Sequence, residues 1–111
     1  MKGDGVYLAH ILECIRRIEE NVAGGLDVFR SSLTIQDAVL RNLQVMCEST
    51  KRLSGEAKSK HPQVEWRKIA AFRNVVVHEY LGINIGRVWA IIEDELPSLK
   101  QAVETLSAEH R

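Results

Sequence analysis

The sequence predicts an all-α protein, an antiparallel bundle of four main helices. In four segments of the 111 residues, apolar side chains recur at three- and four-residue steps, and glycine- or proline-containing stretches separate these segments. The one β-branched run, 75–77, has no second strand to pair with, so a helix is favoured there as well. With 45% hydrophobic residues, the chain can form one core, and we expect a single domain over residues 1–111.

The first predicted helix spans Asp4 to Ala23, with Asp4 as its N-cap and the following glycines as its end. The connection 26–33 is apolar enough to fold back onto the core. Thr34 and an acid three residues later resemble a capping box, which opens a second helix running to about Lys58.

The third predicted helix begins near Val64, after a polar break, and ends near Tyr80. Residues 82–86, with two glycines, form a predicted turn. A fourth helix follows with apolar residues at helical spacing up to Leu106, and Pro97 within it should kink it or start a new segment.

Charge is distributed unevenly along a chain whose formal net charge is zero. The segment 51–87 contains eight basic and three acidic residues, hence +5, and the remainder carries −5. No global field attracts a polyanion, but the basic segment suits an anionic ligand. A solvated helical face is the alternative explanation.

The cysteines and the apolar pattern indicate the compartment. Cys14 and Cys47 lie far apart at apolar helical positions and are interpreted as buried free thiols. No apolar run approaches the ~18 residues of a membrane span, and the first residues lack the unbroken apolar stretch of a signal peptide. We therefore expect a cytoplasmic protein that does not enter a membrane.

The candidate site is the segment 73–80, hereafter the motif. Arg73 has the geometry for bidentate binding of a phosphate, and His78 is suited to proton transfer near neutral pH. Asn74 could orient His78 or hold a phosphate oxygen, and Tyr80 adds a hydroxyl. Glu48 could pair with a cation of the motif or lie in solvent.

The spacing of these residues constrains a helical site. At ~100° per residue, Arg73 and Tyr80 share a face, whereas Arg73 and His78 lie roughly 140° apart. Three explanations remain open. The arginine reaches around the helix, the helix is distorted at the valines, or a second chain supplies the partner.

The chain resembles HEPN-domain ribonuclease toxins of the HepT kind. Their signature is an arginine, four residues of any type, a histidine, one further residue and a tyrosine, and the matching residues here are Arg73, His78 and Tyr80. Asn74 also fits that pattern. The likeness extends to DGVYLAHILECIRRIEE, AVLRNLQVMCESTKRLS, Pro62, Trp66 and GRVWAIIEDELPSL, and so covers nearly the whole chain. One departure is Cys47-Glu48-Ser49 in place of the family's Gly-Glu-Ala.

The resemblance implies a function. Such proteins are HEPN-like helical bundles that form homodimers, with both motifs in one composite cleft. They are metal-independent endoribonucleases and toxins of type II toxin-antitoxin systems. Their antitoxin, a minimal nucleotidyltransferase, inhibits them by AMPylation of the motif tyrosine, here Tyr80. Arg73 and His78 would be catalytic, Asn74 and Glu48 supporting, and RNA would be cleaved by attack of its 2′-hydroxyl.

Two other interpretations are weighed against this one. In the first, the motif only recognises the nucleotidyltransferase and serves as its modification site, without catalysis. In the second, His10 and Cys14, four apart on one helix, bind a metal, but the sequence offers no second pair to complete a tetrahedral set. We expect neither a metal nor another cofactor.

Overall fold

A computed structural model describes residues 3–78 and 84–110, with residues 75–78 as backbone only. All regular structure within these ranges is helical. Six helices follow one another: α1 (Asp4–Asn21), α2 (Leu26–Ser31), α3 (Leu33–Arg52), α4 (Gly55–Ser59), α5 (Trp66–His78) and α6 (Ile85–His110). Four of them are long, as predicted; of the two short ones, α2 lies in the predicted connection 26–33 and α4 at the end of the second predicted helix.

The long helices run antiparallel, which their cross-helix contacts establish. In α1 and α6, the backbone of Gly5 lies beside His110, whereas Glu19 pairs with Lys100 near the other end of the contact. In α3 and α5, Glu48 pairs with Arg73, and Lys51 lines the same groove as Ala70. The predicted antiparallel helical bundle is confirmed.

One hydrophobic cluster joins all six helices. Its fully buried side chains include Ile11 and Ile18 of α1, Leu43 of α3 and Leu99 of α6. The short helices take part as well, because Phe29 of α2 and Ala57 of α4 are buried in the same cluster. The connection 26–33 thus folds back onto the core, as its apolar character predicted.

The predicted caps of α1 and α3 are wrong. Gly3, not Asp4, is the N-cap of α1, and Asp4 is buried instead, accepting hydrogen bonds from the backbone N–H and hydroxyl of Ser54 at 2.9 and 2.7 Å. The Oγ of Ser32 caps α3 through the N–H of Ile35. Thr34 already lies inside α3, because helix α2 ends immediately before Ser32.

The second long helix is shorter than predicted. It ends at Arg52 rather than near Lys58, because Leu53 is extended and Ser54 caps the new helix α4 through the N–H of Ala57. The bonds between Asp4 and Ser54 therefore fix the start of α1 to the junction between α3 and α4.

Helix α5 is α-helical through the valine run and reaches His78, so the helical interpretation of that run is confirmed. It begins at Trp66, two residues after the predicted start at Val64. The predicted end near Tyr80 and the first part of the predicted turn 82–86 lie outside the described residues.

Helix α6 begins at Ile85, inside the predicted turn, because the side chain of Asn84 accepts a hydrogen bond from the N–H of Arg87 at 3.0 Å. It continues without interruption through Pro97, so no new segment starts there. No helix within the described part of the chain combines the length and apolar character needed to cross a membrane.

Candidate functional site

Arg73 of α5 lies at the seam between α3 and α5. Its Nε donates a hydrogen bond to Oε1 of Glu48 at 2.8 Å, an ion pair that joins the two helices. The side chains are 45% and 42% exposed, so solvent and ligands can reach the pair. Of the two alternatives for Glu48, pairing with a cation of the motif is confirmed.

The ion pair orients the guanidinium of Arg73 and leaves its two terminal nitrogens available. Only Nε of Arg73 bonds Glu48, and no other described residue bonds its two terminal nitrogens. The hydrogen bond from Arg73 holds the pKa of the Glu48 carboxyl below its usual value, so Glu48 stays ionised near neutral pH. Two guanidinium nitrogens remain for the oxygens of a phosphate.

The residues beside Glu48 fix the rotation of α3. Cys47 and Ser49 are both buried, and Cys47 has no exposed surface. Burial raises the pKa of the Cys47 thiol to about 12. The side chain that replaces the family's glycine is therefore accommodated in the core, and Glu48 still contacts Arg73.

The other motif residues are placed to different extents. Asn74 is exposed on α5, directly after Arg73. His78 is the last residue of α5, described by its backbone, and Tyr80 lies outside the described residues. The predicted common face of Arg73 and Tyr80 therefore stays a prediction.

The backbone of α5 bears on the separation of Arg73 from His78. Because α5 is a continuous α-helix from Trp66 to His78, positions 73 and 78 lie roughly 140° apart around its axis. The arginine side chain is directed at α3, where it binds Glu48. Distortion at the valines is therefore excluded as the explanation that brings the two residues together.

The remaining candidates are structural or solvent-exposed. Cys14 and Cys47 are buried and free, as predicted. His10 is exposed, and no group of three or more His, Cys, Asp or Glu side chains within residues 3–78 and 84–110 is arranged to hold a metal ion. Trp66 is buried with its Nε1 bonded to the carbonyl of His61, and Trp89 packs against Phe29 at 5.5 Å between ring centroids.

A basic groove lies beside the ion pair and was not predicted from the sequence. It encloses about 730 Å³ between the end of α3, α4 and the start of α5. The lining residues are Lys51, Gly55, Lys58, Ser59, Glu65, Trp66, Arg67, Lys68 and Ala70. The only signal in the sequence was the excess of basic residues between positions 51 and 87.

Comparison with known families agrees with the motif and the fold. A family model described as "Ribonuclease HepT-like" matches residues 11–106. The chain belongs to the HepT-like ribonuclease family. The match includes α3, α5 and both members of the Glu48–Arg73 pair.

Individual relatives have similar names. A "Putative RNase" of Caldanaerobacter subterraneus subsp. tengcongensis is 36% identical over 107 residues, which are 96% of each chain. The "mRNA nuclease HepT" of Shewanella oneidensis is 25% identical over 126 aligned positions, covering 92% of this chain and 94% of the relative.

A third relative is longer than this chain. The "Gamma-glutamylcyclotransferase and putative RNase" of Methanocaldococcus jannaschii is 33% identical over 99 residues, which are 88% of this chain and only 45% of that protein. No solved structure matches the chain.

Proposed function

We propose that this HepT-like chain is a metal-independent endoribonuclease and the toxin of a type II toxin-antitoxin system. The observation that carries the proposal is the partly exposed Arg73, oriented by Glu48 and with its terminal nitrogens available, five residues before His78 on one continuous helix. The names of the relatives, which include an mRNA nuclease, support RNA as the substrate.

The proposed reaction is an intramolecular transesterification. A base removes the proton of the ribose 2′-hydroxyl, whose oxygen forms a bond to the adjacent phosphorus as the bond to the 5′-oxygen breaks. Arg73 stabilises the charge on the phosphoryl oxygens, and an acid protonates the departing 5′-oxygen. The products carry a 2′,3′-cyclic phosphate and a 5′-hydroxyl, and no step in this scheme requires a metal.

We further propose that the site is composite in a homodimer. The reaction needs both an acid and a base, whereas one motif has one histidine. A two-fold dimer would bring two arginines and two histidines to one cleft. The roughly 140° between Arg73 and His78 on α5 supports this arrangement, because the pair need not then act within one chain. Asn74 would hold a phosphate oxygen or orient a histidine.

The decisive experiment is incubation of the purified protein with single-stranded RNA in EDTA. We expect cleavage with 5′-hydroxyl products, and loss of at least about 100-fold in rate for His78→Ala, the size typical of a proton-transfer group. The matched control is His10→Ala, because His10 is an exposed helical histidine outside the motif. Absence of wild-type cleavage, with retained binding to the nucleotidyltransferase, would support the non-catalytic partner instead.

Regulation by AMPylation of Tyr80 is the finer part of the proposal. An AMP group beside the motif would add bulk and negative charge, and its phosphate would compete with RNA for Arg73. Incubation with the neighbouring nucleotidyltransferase and ATP should add one or more AMP masses to the wild type and none to Tyr80→Phe. An unmodified Tyr80 in peptide mass spectra would contradict this mode of inhibition.

A further inference from the structure

We propose that the basic groove between α3, α4 and α5 binds the phosphate backbone of single-stranded RNA and leads it to the motif. The proposal deepens the proposed function and rests on RNA being the substrate. It concerns residues outside the motif, chiefly Lys51, Lys58 and Arg67.

The groove lies next to the Glu48–Arg73 pair. Lys51 lies three residues after Glu48 on α3, and Ala70 lies three residues before Arg73 on α5. Because the two helices are antiparallel, the groove and the Glu48–Arg73 pair occupy neighbouring turns of one seam. A strand lying in the groove therefore passes the Arg73 guanidinium within about one helical turn, or roughly 5 Å along the axis.

The register of α5 places a second part of the motif beyond the groove. Arg67 and Asn74 are seven residues apart and share a face within about 20°, and His78 follows one turn later. This face extends over about 16 Å from Arg67 to His78, enough for a short run of nucleotides. The groove lies at the start of this face and positions 74 and 78 at its end, whereas Arg73 is directed at α3 beside it.

The groove carries positive charge that close ion pairs do not neutralise. No carboxylate of a described residue forms an ion pair with Lys51, Lys58 or Arg67. The lining acid, Glu65, is paired with Lys68, which also binds the buried Glu95 at 3.0 Å. The carboxylate of Asp4 acts on Lys58 without forming a close ion pair, so the groove presents Lys51 and Arg67, with Lys58 behind them, to a polyanion.

Lys58 gives the most specific indication. Its ammonium is partly withdrawn from water and donates a hydrogen bond to the backbone carbonyl of Lys51 at 3.3 Å. Burial lowers the pKa of Lys58, and the carboxylate of Asp4 offsets only part of this effect. A phosphate in the groove would relieve this cost, because an anion next to a desolvated ammonium favours its charged form.

The test is binding of a fluorescent single-stranded RNA in which every 2′-hydroxyl is methylated, so that no nucleophile is present and binding is measured apart from cleavage. The variant is Lys51→Gln/Arg67→Gln, both exposed in the groove. The matched control is Arg30→Gln/Arg41→Gln, which removes the same charge from exposed positions of α2 and α3 outside the groove.

We expect about tenfold weaker binding for the groove variant and unchanged binding for the control. In the groove variant, the magnitude of the slope of log Kobs against log salt should be smaller than in the wild type by about 1.4. Two phosphate contacts are lost, and each contact to a single strand contributes about 0.7. Equal losses in both variants would overturn the proposal, because net charge alone would then explain binding.

Three further outcomes separate this proposal from the proposed function. Groove-dependent binding by a wild type that does not cleave RNA would support the groove and contradict the nuclease. Cleavage with binding that is insensitive to the groove variant would support the nuclease and overturn the groove. Loss of nucleotidyltransferase binding alone in the groove variant would identify a protein-docking surface and also overturn the proposal.

Discussion

At the scale of single residues, the proposed function depends most on the contact between Glu48 and Arg73. It joins positions 25 residues apart through one hydrogen bond at 2.8 Å, and both side chains remain partly exposed. An exposed ion pair of this kind contributes little to folding. Its value therefore lies in positioning the guanidinium at the seam.

Replacement of Glu48 by glutamine should separate positioning from stability. We expect a threefold to tenfold slower RNA cleavage, about 0.7–1.4 kcal/mol in the barrier, because Arg73 loses a charged partner that orients it. The thermal midpoint should stay close to that of the wild type.

Glu13→Gln is the matched control, since Glu13 forms an exposed ion pair with Arg16 on α1, far from the motif in sequence. It should change neither rate nor stability appreciably. Wild-type cleavage by Glu48→Gln would show that Arg73 needs no such partner.

The thiol of Cys47 should make stability depend on alkaline pH. Burial raises its pKa from 9.0 to about 12, so the folded state keeps a proton that the unfolded state releases. Stability is then full below pH 9 and falls by up to about 1.4 kcal/mol per pH unit as pH rises toward 12.

Urea unfolding at several pH values between 8 and 11 would measure this slope, with the pH values chosen to bracket the ordinary thiol pKa. The slope should be shallower in Cys47→Ala. Cys14→Ala should reduce it less, because Cys14 retains 6% exposure whereas Cys47 has none. An identical slope in the wild type and Cys47→Ala would contradict the assignment.

At the scale of helices, Ser54 connects three elements. Its N–H and hydroxyl bind Asp4 of α1, and its Oγ accepts the N–H of Ala57 at the start of α4. Since α4 forms one wall of the basic groove, these bonds position Lys58 relative to α5.

Ser54→Ala should lower the free energy of unfolding by about 1–3 kcal/mol, because it removes a helix cap and leaves a buried carboxylate oxygen without its partner. The change would be measured as the shift of the urea midpoint. Ser59→Ala is the control, as Ser59 is exposed and its hydroxyl bonds the carbonyl of Glu56 on its own helix. Equal shifts in the two variants would show that Asp4 does not depend on Ser54.

The four long helices could be predicted because hydrophobic periodicity is a local property. Their ends could not, since caps depend on contacts between distant segments. Asp4 is a good capping residue by type, but its carboxylate binds Ser54, 50 positions later. Pro97 was expected to kink the last helix or to start a new segment, and α6, which packs along α1, continues through it without a new segment.

At the scale of the whole molecule, a shared site predicts complementation between inactive chains. A mixed dimer of Arg73→Ala and His78→Ala would keep one arginine and one histidine in the shared cleft, whereas either variant alone would lose both copies of one side chain. Co-purified mixed dimers should therefore recover a measurable part of wild-type cleavage, well below half because one histidine of the acid–base pair is absent.

Each variant alone should stay inactive in that experiment, which serves as the control. Separate sites within each chain predict no recovery on mixing. Measurement of the mass of the same preparation in solution reports whether the chain forms the dimer that complementation requires.

The candidate site could be predicted only in part, because some of its contacts depend on how distant helices pack together. Arg73 and His78 stand out by type and spacing, and their catalytic roles stay a prediction. The contact of Arg73 with Glu48 was one of two alternatives, because it depends on the register of two antiparallel helices. The groove depends on the same register, so the sequence showed its charge but not its shape.

The alternation along α3 constrains how the gene can change. Cys47 and Ser49 are buried, whereas Glu48 between them contacts Arg73 of α5, so three consecutive residues alternate between the core and the contact with α5. A one-codon deletion earlier in α3 would rotate everything after it by about 100°, moving a carboxylate toward the core and a different side chain toward Arg73. We therefore expect relatives of this chain to accept many substitutions in α3 but to lose insertions and deletions there through selection.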